Sequence, residues 1–148
     1  MSVTVDANVL VYASNEADPA HAPARAIVEQ LAAGPLLVYV FWPVVLAYLR
    51  IVTHPAILPH PLASADAQAN VDRLIARPHV RTPGELDGFW PVLRGAAGPN
   101  GRGNDLPDAH VVALMRQHGV AAIYTRDRDF LRYRDIIVHD PFSRPPHS

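Results

Sequence analysis

Short runs rich in β-branched residues alternate along this chain with stretches of helical periodicity, and no two successive runs are joined by a hairpin signal. Strands that do not turn back on themselves must cross over to pair in parallel, and the crossovers are usually helices. The alternation therefore commits the chain to an α/β fold, a mainly parallel sheet with helices on both faces. The runs are Val3-Thr4-Val5, Leu36 to Phe41, Val80-Arg81-Thr82, Val120 to Thr125 and Ile136-Ile137-Val138. Leu36 to Phe41 is continuously apolar, the pattern of a strand covered on both sides.

Between the runs, helices are expected from about Val9, over His21 to Ala33, from Val44 to about Thr53, over Ser64 to Ala76 with Ser64 as N-cap, over Gly84 to Leu93, and over Asp108 to His118 with Gly119 as its stop. Pro91 counts against the second half of the Gly84 to Leu93 segment. Gly95 to Gly103, with four glycines, reads as a mobile loop, and Phe130-Leu131 as the start of a short turn or helix.

The chain has 148 residues, the size of one domain with one core. Residues 1–142 form that domain, and the Pro/Ser/His-rich residues 143–148 are expected to be a disordered tail. The net charge of -1 offers no general attraction to phosphates, so a nucleic-acid partner would have to be held by a local patch. Without cysteine there are no disulfides and no thiolate metal sites, which fits a cytoplasmic protein. Met1 to Asp6 lacks the basic start of a signal peptide, and Leu36 to Leu49, broken by Pro43, is too short to span a membrane.

In an open parallel sheet the functional crevice lies beyond the carboxyl ends of the strands. Asp6 and Asp127 each follow a predicted strand, and Asp108 opens a helix on the matching side, with Asp105 and Asp129 nearby. Taken singly, Asp6 is a turn former, Asp108 an N-cap, and Asp127 or Asp129 part of an Asx-turn. Taken together they form a set of carboxylates suited to a hard divalent cation.

Four segments, Val5 to Ala13, Leu49 to Pro55, Pro107 to Leu114 and Thr125 to Phe130, resemble in order and spacing the PIN domain, specifically the ribonuclease toxins of VapBC toxin–antitoxin pairs. The resemblance spans nearly the whole chain. It implies a PIN-like three-layer α/β/α sandwich and a Mg²⁺- or Mn²⁺-dependent endoribonuclease toxin, usually a homodimer, held inactive by a cognate antitoxin. By position it makes Asp6, Asp108 and Asp127 the catalytic metal ligands, with Asp129 as an accompanying acid and Asn8 and Thr125 as polar neighbours. The family pattern commonly has Glu where this chain has Ala47.

Asp105 is the candidate to replace that charge, since a helix extended back one turn would place it on the face of Asp108. The alternative is that Asp105 caps the helix or faces solvent. Arg94, Arg102, Arg126 and Arg128 are candidate contacts for RNA phosphates, and Arg50 for a nearby carboxylate. Trp42, Trp90 and Tyr48 are more suited to core or interface packing than to stacking on bases. His110 lacks a visible catalytic partner and is read as structural. Two other classes compete: a PIN-like module that binds an antitoxin peptide or RNA without turnover, and a receiver-type domain. The receiver expects adjacent acids after the first strand and a late lysine, and this chain has no lysine.

Overall fold

A computed structural model describes residues 1–143; apart from Ser143, the tail expected over 143–148 lies outside the described residues. Five strands, β1 (Ser2–Val5), β2 (Leu37–Tyr39), β3 (Val80–Arg81), β4 (Ala122–Tyr124) and β5 (Ile137–His139), form one sheet in the order β3-β2-β1-β4-β5. Every pairing is parallel, with Val3 facing Val38 on one side and Ala122 on the other. β1 is thus central, and its carboxyl end opens between β2 and β4.

The connections are α1 (Ala7–Ala13) and α2 (His21–Ala33), then α3 (Trp42–Val52) and α4 (Ser64–Ile75), then α5 (Phe89–Ala97) and α6 (Asp105–His118), and a 3₁₀ helix, Arg128–Arg132. From β1 to β2 to β3 the chain steps in one direction across the sheet, and from β3 to β4 it steps back. Right-handed crossovers then put α1 to α4 on one face and α5 and α6 on the other, giving three layers. The packing agrees: α1 lies against α2 and α3, while α5 lies against α6. Val5, Val38 and Ile123 from the strands and Val9, Val44, Val112 and Leu114 from the helices close the core between the layers. No helix of the described residues is long and apolar enough to cross a membrane.

Three local expectations change. Ser64 is the first residue of α4 rather than its cap: Ala63 takes that position, and the Ser64 hydroxyl instead accepts from Gln68 Nε2 at 3.0 Å. The helix expected over Gly84 to Leu93 starts at Phe89 and runs on to Ala97, into the stretch read as a loop. Pro91 does not oppose this, because it is the third residue, where a backbone N–H would have no intrahelical partner. By the same rule α6 accommodates Pro107 and begins at Asp105, a turn earlier than Asp108. Gly119, with φ at 67°, ends α6 in a left-handed conformation that a side chain would strain.

Candidate metal centre

The site is built where three chain segments leave the sheet on one edge. Asp6 directly follows β1 and caps α1: Ala7 N donates to its Oδ1 at 2.8 Å. Its other oxygen accepts from the Thr125 hydroxyl at 2.8 Å and from Asn8 Nδ2 at 3.3 Å. Thr125, just past β4, is fully buried, and its hydroxyl also accepts from Asn8 Nδ2 at 3.1 Å and from Asp127 N at 2.9 Å. The Asn8 carbonyl oxygen accepts from Arg126 N at 3.2 Å. Two adjacent parallel strands therefore fix Asp6, Asn8, Thr125 and Asp127 through one hydrogen-bonded knot.

Asp127 caps the 3₁₀ helix, its Oδ1 accepting from Asp129 N at 2.9 Å, which sets Asp129 beside it. Asp108, in the first turn of α6, completes the arrangement. Asp108, Asp127 and Asp129 each offer a carboxylate oxygen, all within 4.8 Å of one another. Asp6 stands outside this trio, but its charge bears on Asp108.

The electrostatics follow from crowding. Burial, then the charges of Asp127 and Asp6, then a carboxyl–carboxyl hydrogen bond to Asp127, push Asp108 up to about 7. Burial also raises Asp6, against the opposing hydrogen bonds from Thr125 and Ala7. Among the described residues, no arginine or histidine forms a salt bridge with Asp6, Asp108, Asp127 or Asp129. A crowded set of hard oxygen donors of this kind is chemically suited to a hard divalent cation.

Asp105 is placed differently. It shares the α6 face with Asp108, yet it is absent from the close trio. Its Oδ1 accepts from Arg132 Nη1 at 3.1 Å and its Oδ2 from Arg102 N at 3.4 Å. The Arg132 hydrogen bond is the chief reason its pKa is lowered, the reverse of the shift at Asp108. Ala47 lies half-buried in α3 and brings no donor.

Among the arginines, Arg126 stacks over Tyr12 and Phe142, each ring centre 5.4 Å from its Cζ, while Arg102 and Arg128 are exposed. Arg50 is exposed and makes no ion pair among the described residues. Trp42 and Trp90 are not core residues; they are 42% and 65% exposed. Tyr48 is buried, its hydroxyl shared with Ser14 and Asn70. His110 has a partner after all, Glu85 Oε1 at 2.7 Å, on the side of α6 where Phe89 packs edge-on, which leaves it structural. Nothing in the spacing singled out Arg132, although the Arg132-Tyr133 pair five residues beyond Asp127 was the available signal.

A cavity of about 610 Å³ between α1, α2 and α4, lined by Leu10, Val28, Val71 and Leu74 among others, includes none of Asp6, Asp105, Asp108, Asp127 and Asp129. The chemistry is therefore located by charge and donor type rather than by concavity.

A profile of the PIN domain matches residues 3–136. The chain is 54% identical over 144 residues to Ribonuclease VapC48 of Mycobacterium tuberculosis, covering 97% of this chain and 99% of that one. In three dimensions it is similar to Mycobacterium tuberculosis VapC20, a sarcin-ricin loop cleaving toxin, with TM-score 0.65 and 20% identity over 88% of this chain and 93% of that one. It is likewise similar to a chain of VapBC2 from Rickettsia felis, solved on a DNA fragment of its promoter, with TM-score 0.63 and 17% identity over 94% and 98% of the two chains.

Proposed function

Because this chain belongs to the PIN-domain family, among the VapC ribonucleases, we propose that it is the toxin of a toxin–antitoxin pair and a Mg²⁺- or Mn²⁺-dependent endoribonuclease. The observation that carries the reading is the trio Asp108, Asp127 and Asp129, with oxygens within 4.8 Å, set beside Asp6 at the carboxyl edge of a parallel sheet.

Asp6, Asp108 and Asp127 would hold the cation, and Asp129 would join them. When bound, the divalent cation supplies Lewis acidity toward a phosphodiester and a hydroxide at neutral pH. The remaining work belongs to the chain. Asn8 and Thr125 keep the Asp6 carboxylate in one orientation, as hydrogen-bonded neighbours of ligands do in other metal sites. With its carboxyl pushed up to about 7 by burial and by Asp127 and Asp6, Asp108 would be the pH-sensitive donor, and the site would take a cation more readily as pH rises toward 7 and beyond. Three carboxylates in the trio suit one cation; with Ala47 in α3, a fifth carboxylate for a second cation is missing.

The partners of this reading are the RNA substrate, a cognate antitoxin and a second copy of the chain. Trp42 and Leu46, exposed one turn apart on α3, support the second copy. The test is RNA cleavage with Mn²⁺ and with EDTA, for the wild type and Asp6→Ala. Cleavage by the wild type with Mn²⁺, and by neither protein in EDTA, is expected. Full activity of Asp6→Ala would refute the assignment, and RNA binding without cleavage in any metal would favour the non-catalytic module.

A further inference from the structure

Arg132 occupies a position that neither the carboxylate site nor the core explains. It ends the 3₁₀ helix that Asp127 caps and whose first turn holds Asp129, and its partner Asp105 stands one turn before Asp108 on α6. The two segments that bring the carboxylates together therefore also bring this ion pair to their rim. Residues three apart on a helix lie about 5–6 Å from one another. Arg132 is accordingly the cation whose charge bears on Asp108.

The side chain is held at three points. Nη1 donates to Asp105 Oδ1 at 3.1 Å, Nη2 donates to the Tyr133 hydroxyl at 2.9 Å, and Cζ lies 4.9 Å from the centre of the Tyr133 ring. Tyr133 is buried and anchored in turn, its hydroxyl donating to Ala96 O of α5 at 3.1 Å. Yet Arg132 remains 39% exposed, and two of its five N–H donors are used among the described residues. Exposed ion pairs contribute little to stability, so holding a long side chain this firmly has a better explanation in what it presents outward.

We infer that Arg132 contacts an RNA phosphate beside the carboxylate site, and that Asp105 is its positioning residue rather than a ligand of the cation. The inference rests on the ribonuclease reading. A chain of net charge -1 with a cluster of acids must bring phosphates to that cluster with a local cation. Arg132 is immobilised beforehand, and three of its five N–H donors are unused among the described residues, enough to serve two phosphate oxygens. Among the described residues, the side chains of Arg102 and Arg128, exposed nearby, have no such anchoring. Asp105 Oδ1 accepts from Arg132 and Oδ2 from Arg102 N, and Asp105 stands outside the trio whose oxygens come within 4.8 Å of one another, which suits it to holding the arginine rather than the cation.

The test compares wild type, Arg132→Ala, Arg132→Lys and Asp105→Asn. Binding of a short single-stranded RNA is followed by fluorescence anisotropy across a salt series, with Ca²⁺ in place of Mn²⁺, and Mn²⁺ affinity is measured by calorimetry. Arg132→Ala is expected to weaken RNA binding about tenfold, the loss of one charged contact, and to flatten the salt slope by about one phosphate. Its Mn²⁺ affinity should stay unchanged or rise, since a positive neighbour is removed. Arg132→Lys, which keeps charge but loses the fork, should fall between and retain the wild-type melting temperature. Asp105→Asn should weaken RNA binding and leave Mn²⁺ affinity unchanged. Wild-type RNA affinity and slope in both arginine variants, or weakened Mn²⁺ binding in Asp105→Asn, would overturn the inference while leaving the ribonuclease reading intact. A wild type that neither binds nor cleaves RNA would remove that reading and the inference with it.

Discussion

Replacing Asp108 by Asn should make the cation-free protein more stable while destroying the site. Asp108 is raised from 3.8 to about 7 by burial and by the charges of Asp127 and Asp6. An acid raised on folding holds its proton more tightly in the native state, so the native state is favoured at low pH. That advantage is lost as pH rises from the unfolded value through about 7. At pH 8 the ionised carboxylate is a standing cost that a neutral, isosteric amide does not carry. The shift of about three units corresponds to roughly 4 kcal/mol at 1.36 kcal/mol per unit. Because the group is half in solvent, screening reduces this to about 2 kcal/mol. For a domain of 148 residues, that is a rise in melting temperature of about 4–8 °C. The assay is differential scanning calorimetry in EDTA at pH 8 and pH 5, repeated with Mn²⁺. Asp108→Asn should melt higher than wild type at pH 8 in EDTA, by a smaller margin at pH 5 because that pH lies between 3.8 and about 7, and gain nothing from Mn²⁺, whereas the wild type should gain. A variant that melts lower than wild type at pH 8 in EDTA would refute the account of Asp108 as a repelled, proton-holding carboxylate.

Thr125→Val keeps the shape of a fully buried side chain but strips the hydrogen bonds that join Asp6, Asn8 and Asp127 N. It should cost about 1–3 kcal/mol in stability and about 10–100-fold in Mn²⁺ affinity, read by denaturation and calorimetry; unchanged affinity would show that the knot does not serve the site. Ala47→Glu should tighten Mn²⁺ binding by about tenfold or more if the position lies beside the carboxylates, as a further charged oxygen donor would; calorimetry showing no change would place it elsewhere. His110→Ala removes the pair with Glu85 on the exposed side of α6 and should leave the rate of RNA cleavage within about twofold of wild type, since it touches neither carboxylates nor Arg132. A large drop in turnover would make His110 part of the chemistry.

The sheet and its order of elements were legible in the chain. Parallel pairing followed from β-branched runs separated by helical periodicity, and α2 runs over the expected residues, His21–Ala33. Helix entrances were less legible, because Pro91 and Pro107 look like breakers until it is known that each is the third residue of its helix. The acidic set was visible because strand ends in a parallel sheet share one edge. Its internal division was not. Asp105 and Asp108 are the same residue type one turn apart; the family resemblance matches Asp108 to a ligand position, while for Asp105 the sequence leaves open a ligand, a cap or a solvent-facing residue. Tertiary structure separates them: Asp108 is turned into a crowd of carboxylates and its pKa rises, while Asp105 meets Arg132 and its pKa falls. The sequence by itself determined that carboxylates would gather at the edge of a parallel sheet, since local periodicity and strand ends are written in neighbouring residues. Which of them come within 4.8 Å of one another and which pairs with an arginine was decided in the folded state alone, because a charge's surroundings depend on partners such as Arg132, 27 positions from Asp105 in the chain.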